Sequence, residues 1–363
     1  MTATTLDPQR QTAFVGRLFA AASGSLELAT VYLGERLGLY RALADGGPLT
    51  APELAAATAT AERYAREWLE AQAACGFVDV DDPTLPAGER RYALPPEHAD
   101  ALLNRESLTY LAPMARFMAA SAGAMRQLVE AFRSGGGVPY ETYGAEFREA
   151  QQDFTRPLFA NLLGGWIEAM PDVHERLLRE PPARVVDLAC GAGIACIELA
   201  RRYPSARVDG IDLDEGAIDL ARANARAAEV DVRFHVRDAS APGLDEPYDL
   251  VTMFDSLHHV AQPLDALRAM RALVRDDGAV LVVESRTADR FQGPLPEGDF
   301  ERFTYLVSVV HCLPTAMAEQ PSIGLGAVVR EPVLRQLAAD AGFAGVEVLA
   351  IEHPMLRLYR LLT

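Results

Sequence analysis

A chain of 363 residues, half of them hydrophobic and 23% charged, holds enough material for two domains with separate cores. No run of about 18 apolar residues is available to span a bilayer, and a net charge of −17 argues against nucleic acid, which is held largely by Lys and Arg. The 34 basic residues are all arginine, and Cys75, Cys190, Cys196 and Cys312 form neither a CxxC pair nor a disulfide framework, so reduced thiols and a cytoplasmic location are expected.

The opening stretch, MTATTLDPQRQTAF, lacks a basic segment followed by an apolar core, so no signal peptide is expected. Residues 12–44 place Phe14, Leu18, Phe19, Leu26, Leu33 and Leu37 at helical spacing. Thr50 then caps a short helix with Pro52 in its first turn, and a second helix runs from near Thr60 through Trp68 to Gly76. Strands at 77–80 and 91–94 flank a turn rich in Asp, Pro and Gly. Helix, turn, helix and a two-stranded ribbon form a winged helix-turn-helix pattern over residues 1–100. Its second helix, AERYAREWLEAQ, carries three Glu against two Arg, and residues 1–100 hold 14 acidic and 8 basic side chains. That balance repels phosphate, so the module is read as a dimerisation domain of a homodimer rather than a DNA reader.

Residues 101–180 read as a helical linker or lid, interrupted at 134–139. Its aromatic residues, Tyr140, Tyr143, Phe147, Phe154, Phe159 and Trp166, are expected to roof a pocket, with Tyr143 and Phe147 as contacts to a bound small molecule. Over residues 181–363 strands alternate with helices. Strands are expected near 184–188, 207–212, 232–236, 248–254 and 278–284, with helices near 193–203, 215–227, 261–275 and 331–341. Two last strands, near 345–351 and 356–362, turn at His353-Pro354. The fold class is therefore α/β: a Rossmann-like, doubly wound, mostly parallel sheet of seven strands with a C-terminal antiparallel hairpin, preceded by a mainly helical winged-helix domain. Ligands of such sheets sit beyond the carboxyl ends of the strands.

The first of these strands runs into VVDLACGAGI, a glycine turn of the kind that holds nucleotides. A dinucleotide turn needs G-x-G-x-x-G, but counting from Gly191 the third position is Cys196, and from Ala189 it is Ile194. A phosphate loop needs a lysine that this chain lacks. Asp187 suits a ligand with an ammonium group. Asp212, ending the second strand, can accept both hydroxyls of a ribose, and Asp238, after the third, an adenine amino group, with the Ala239 N–H completing that edge. Ammonium, ribose and adenine together describe S-adenosyl-L-methionine.

Residues 184–284 resemble the class I S-adenosylmethionine-dependent methyltransferases, which carry D-x-[GA]-x-G-x-G, then G-x-D, then a later D-A. Here DLACGAG, GIDLD and RDAS follow in that order, with YDLVTMFDSLHHV on the fourth strand. The resemblance implies that Asp187, Ala189, Gly191 and Gly193 cradle the methionine end. It sets Asp212 and Leu213 at the ribose, Asp238 and Ala239 at the adenine, and Phe254 and Asp255 beside the cofactor, with S-adenosyl-L-homocysteine as product. Ala189 stands where the family has its first glycine. Asp214 is read as a helix N-cap.

The whole chain is similar to the small-molecule O-methyltransferases of bacteria and plants that join a winged-helix dimerisation module to a methyltransferase domain. In that family V-L-H-D-W after the fourth strand supplies the catalytic histidine; here S-L-H-H-V stands there. The resemblance implies His258 as general base, drawing the acceptor's hydroxyl proton while the methyl moves in line, with His259 and His311 as further catalytic candidates. It also implies that the insertion 286–330 covers the acceptor site, with Glu284, Tyr305, His311 and Glu319 as acceptor contacts. A small-molecule acceptor of secondary metabolism, of the antibiotic-biosynthesis kind, is expected, with no nucleic-acid or membrane partner. Two alternatives stand beside this: C-methylation of a small acid or prenyl-type acceptor, metal-assisted through His258 or His259 with His311, and a non-catalytic regulator that senses S-adenosylmethionine. No metal-ligand set is assigned, and the sequence does not separate O- from N-, S- or C-methylation.

Overall fold

The computed structural model describes residues 6–244 and 246–363; residues 1–5, on which part of the expectation of no signal peptide falls, lie outside them. The chain divides into two compact units, one ending at Ala119 and the other beginning at Ala120. The helical segment 101–180 is shared between them.

The N-terminal unit opens on α1 (Pro8–Arg36), capped by Asp7, whose carboxylate accepts from the N–H groups of Gln9 and Arg10 at 2.9 and 3.3 Å. Then follow α2 (Leu39–Gly46), α3 (Ala51–Thr58), α4 (Glu62–Ala74), an antiparallel ribbon of β1 (Asp79–Val80) and β2 (Tyr92–Ala93), and α5 (Pro96–Leu103). Thr50 caps α3 as the sequence predicts, and Glu53 completes a capping box, so two otherwise orphaned N–H groups are satisfied. Leu39, Tyr40, Leu43, Leu54, Trp68 and Leu69 form the core.

The next helix, α6 (Pro113–Ser134), runs across the division. The C-terminal unit continues with a 3₁₀ turn (Tyr140–Tyr143), α7 (Gly144–Glu168) and α8 (Pro171–Leu177). The alternating part follows: β3 (Arg184–Leu188), α9 (Ile194–Arg202), β4 (Arg207–Asp212), α10 (Glu215–Ala227), β5 (Val232–Val236), β6 (Tyr248–Phe254), α11 (Pro263–Leu273) and β7 (Val274–Ser285). Within the insertion, α12 (Phe300–Val307) passes through a π-helical turn (Ser308–Cys312) into α13 (Leu313–Ala316). The chain closes with α14 (Glu331–Asp340), β8 (Gly345–Val348) and β9 (Leu356–Leu362).

These strands make a seven-stranded sheet ordered β5-β4-β3-β6-β7-β9-β8. The first five are parallel, and β9 is antiparallel to both β7 and β8. The C-terminal hairpin is therefore present, and its last strand slots between β7 and β8, leaving β8 at the edge. Because β3 and β6 are covered on both faces, they read as mostly apolar runs, interrupted by Asp187 in β3 and by Asp249 and Thr252 in β6, and every residue of β6 is buried. One face packs on α7, α8, α9 and α10, the other on α11 and α14. Each fully buried Val, Ile or Leu contributes about 1.5–3 kcal/mol, so the layered core fixes where the strands end. The carboxyl ends of five parallel strands and the start of β9 meet at one edge.

Candidate active site

At that edge β3 breaks into the glycine turn. Ala189, Gly191 and Gly193 all take left-handed φ values, 55°, 53° and 75°. A residue with a Cβ loses about 1–2 kcal/mol there, so Ala189 carries a strain that glycine in the same place would not. Gly193 cannot be exchanged so cheaply: a Cβ would lie 2.6 Å from the Phe234 ring and 2.9 Å from the Ala221 methyl. Asp212 locks the turn from the neighbouring strand. Its Oδ2 accepts from the Gly191 N–H at 2.8 Å and its Oδ1 from the Asp214 N–H at 2.9 Å. Each oxygen keeps a second lone pair, so the carboxylate can still take ribose hydroxyls. Burial raises the Asp212 pKa against the pull of those hydrogen bonds.

Asp187, expected at the ligand's ammonium, lies beneath the turn, 2% exposed. Its Oδ1 accepts from the Thr252 hydroxyl at 2.7 Å, and burial takes its pKa to about 7 against that hydrogen bond. Asp238 bends the chain after β5, accepting from the Ser240 N–H at 2.8 Å and the Ser240 hydroxyl at 2.6 Å, with Ala239 buried beside it. Leu213 points outward. Asp214 caps α10, accepting from the Gly216 N–H at 3.1 Å, and also pairs with Arg148 of α7, whose Nη2 stands 2.9 Å from Oδ1. Asn224 of α10 donates to Gln152 of α7 at 2.9 Å and to the Ala192 carbonyl at 3.0 Å. Thus α7 braces the glycine turn and the start of α10, through Arg148 and Gln152, which belong to no motif.

A second cluster gathers at the carboxyl ends of β6 and β7. His258, 3% exposed on a 3₁₀ turn (Leu257–His259), donates from Nδ1 to Glu284 Oε2 at 2.6 Å; Glu284 is fully buried. Burial alone would lower the His258 pKa, but the Glu284 carboxylate and Cys312 beside it hold it well above the ordinary histidine value. The His259 ring is 4.3 Å from that of His258 and 5.1 Å from that of His311. Burial and these two neighbours push His259 well below the usual value, and burial with His258 takes His311 to about 3. Both rings are therefore neutral at pH 7.

His311 is carried inward by the π-helical turn, a feature frequent at functional sites. It packs against Phe147 at 4.3 Å, Tyr143 at 4.6 Å and Tyr140 at 5.6 Å, and the Tyr143 hydroxyl donates to the Val310 carbonyl at 2.8 Å. Five buried polar atoms here, Asp255 Oδ1, Ser256 Oγ, His259 Nδ1, Glu284 Oε1 and His311 Nε2, have no hydrogen-bond partner. Orphans of this kind are rare in folded proteins and mark where a ligand or water binds. Asp255 takes a φ of 49°, and burial with Glu284 nearby raises its pKa to about 6 against the pull of His258. Beside it Phe254 packs on Phe159 and Trp166, at 5.3 and 6.2 Å, and these side chains, with Phe154, Leu158 and Phe300, line an apolar pocket that has Asp255 on its wall.

Sequence-derived contacts therefore divide. His258, His259, His311, Glu284, Asp255, Tyr143 and Phe147 converge. Tyr305 instead turns its hydroxyl to Arg330, which also meets Glu301, and Glu319 is exposed. Cys312, next to His311 in the chain, was legible by adjacency yet carries no motif. Among the described residues, two groups place ligand atoms within 4.8 Å of one another as a metal would require: His258, His259 and Cys312, and Asp255, His258 and Glu284.

Residues 185–278 match a family profile described as a methyltransferase domain, and residues 24–105 one described as an Rv2258c-like winged HTH domain. A ubiquinone biosynthesis O-methyltransferase of Burkholderia pseudomallei (strain 1710b) is 30% identical over 200 residues, 54% of this chain and 77% of that protein. The chain spans less of others: only 42% of the length of the ubiquinone biosynthesis O-methyltransferase of Aeromonas salmonicida, 36% identical over 101 residues. Among solved structures, human N-acetylserotonin methyltransferase in complex with S-adenosylmethionine superposes with a TM-score of 0.69 at 19% identity, over 100% of this chain and 99% of that one. The mitomycin 7-O-methyltransferase MmcR gives 0.67 at 18% identity, over 98% and 100%. The fold, the ordered motifs and the Burkholderia relative together establish that this chain belongs to the S-adenosylmethionine-dependent methyltransferases, with an N-terminal winged helix-turn-helix domain.

Proposed function

We propose that the chain transfers the methyl group of S-adenosylmethionine to a hydroxyl of a small-molecule acceptor, with His258 taking the hydroxyl proton. The buried His258–Glu284 pair at 2.6 Å carries this reading. A carboxylate on Nδ1 fixes the tautomer with Nε2 as the proton-accepting nitrogen, the arrangement general-base catalysis needs. The glycine turn and Asp212 hold the donor, Asp238 and Ala239 face the adenine, and Asp187 stiffens the turn from behind. Tyr143, Phe147 and His311 form an aromatic wall suited to a flat acceptor such as an aromatic secondary metabolite.

The pH dependence follows from the pair. His258 works as a base only when neutral, and Glu284 favours its charged form, so turnover should rise with pH through a value above the ordinary histidine range. In Glu284→Gln the raising charge is gone while burial stays, so the acidic limb should move to lower pH even as kcat falls. A kcat–pH profile that keeps its limb in place would remove His258 as the base.

We also propose a homodimer formed through the N-terminal unit. Phe14, Leu18, Phe19 and Leu26 stand exposed along α1, an apolar stripe of the sort that monomers rarely keep. The same unit is poorly suited to DNA: on α4, Arg63 pairs with Glu67 and Arg66 with Glu62 at 3.5 Å. Sedimentation equilibrium should give twice the chain mass, and Phe14→Asp with Phe19→Asp should give the monomer; a wild-type monomer at micromolar concentration would refute the dimer.

A further inference from the structure

We propose that Asp255 is the counter-charge to the donor's sulfonium, so that the site distinguishes S-adenosylmethionine from the neutral thioether it becomes. The inference rests on the donor site assigned above. Strands β3 and β6 are parallel neighbours with Asp187 opposite Thr252. The glycine turn beginning after Leu188 and Asp255, three residues past Thr252, therefore leave the sheet side by side. On its other side Asp255 lies within 4.8 Å of both His258 and Glu284. It thus stands between the turn for the methionine end and the base that meets the acceptor, where the moving methyl must lie.

Three further observations fit a cation beside Asp255. Even with His258 protonated, Asp255 and Glu284 leave one negative charge over, and the neutral rings of His259 and His311 add nothing to balance it. Asp255 Oδ1 and the fully buried Glu284 Oε1 both lack a partner. Glu284 keeps its bond to His258 and Asp255 one to Ser285, yet a buried carboxylate oxygen without a hydrogen bond is costly. The left-handed backbone at Asp255, φ 49°, is a strain that persists only where surroundings impose it. In the reaction the C–S bond breaks and its electron pair stays on sulfur. The acceptor oxygen uses a lone pair for the new C–O bond, and its proton passes to His258. Sulfur is then uncharged, and the attraction to Asp255 ends with the transfer.

The test is calorimetric titration of the full chain with S-adenosylmethionine and, separately, S-adenosylhomocysteine, without acceptor. Asparagine tolerates left-handed backbone, so Asp255→Asn should keep the turn. It should weaken S-adenosylmethionine about ten-fold, the scale of one charge-assisted contact, and S-adenosylhomocysteine by less than about two-fold. Asp255→Ser should repeat that selective loss, and Asp255→Glu should largely restore the wild-type ratio. Equal loss for both ligands overturns the inference, because it is what contact with the α-ammonium they share would give, and so does no loss for either. A wild-type chain that binds neither ligand removes the donor site itself and this inference with it, whereas donor binding without any methylated hydroxyl product touches only the proposed function.

Discussion

His258→Ala should lower turnover by about 10²–10⁴-fold, the usual contribution of a positioned general base, while donor affinity stays within about two-fold. The two effects separate because His258 belongs to the β6–β7 end of the site, away from the turn, Asp212 and Asp238. Its ring is held by Glu284 on one side and by the His259 and Cys312 neighbourhood on the other, so removing it deletes the only imidazole that a carboxylate orients there among the described residues. Single-turnover kinetics with saturating donor would read the chemical step directly. His259→Ala and His311→Ala should cost less, since both rings are pushed far below the range useful for proton transfer near pH 7. If His258→Ala retains near-full turnover, or if His259→Ala proves as damaging, the base is misplaced.

Gly193→Ala carries the second large expectation. The new methyl would meet the Phe234 ring at 2.6 Å and Ala221 at 2.9 Å in a backbone whose φ of 75° disfavours any Cβ. Overpacking and left-handed strain add, for about 2–4 kcal/mol of stability. Relief requires α9 to move off β4 and β5, which carries Gly191 away from Asp212 and opens the donor site. Urea unfolding should show the loss, and calorimetry should find S-adenosylmethionine binding weakened beyond what the stability change explains. A variant of wild-type stability and affinity would contradict the geometry of the turn.

The positions proposed for the donor were legible because they sit at strand ends, and strand ends follow from short apolar runs bounded by turns. Asp212 and Asp238 are in place for that reason. Asp187 stands near the end of β3, but its carboxylate faces Thr252 beneath the turn, since what a strand side chain meets depends on the neighbouring strand, here 65 residues away in sequence. The cluster around His258 was less legible. His258 and Glu284 are 26 residues apart and meet only because β6 and β7 are paired. His311 joins them through a π-helical turn that no periodicity announces, while Tyr305 of the same insertion turns its hydroxyl to Arg330 and Glu319 is exposed. The bracing by Arg148, Gln152 and Asn224 is a matter of helix packing, which a single sequence leaves unspecified.

The central claim, methyl transfer to a hydroxyl, is tested most directly by incubating the purified chain with methyl-labelled S-adenosylmethionine and a panel of flat phenolic and enolic acceptors, each paired with its amino and thiol analogue. The account predicts label on oxygen in at least one acceptor, with formation of S-adenosylhomocysteine and loss of both in His258→Ala. Donor binding with label appearing only on nitrogen, sulfur or carbon, or with no transfer across the panel, would contradict it.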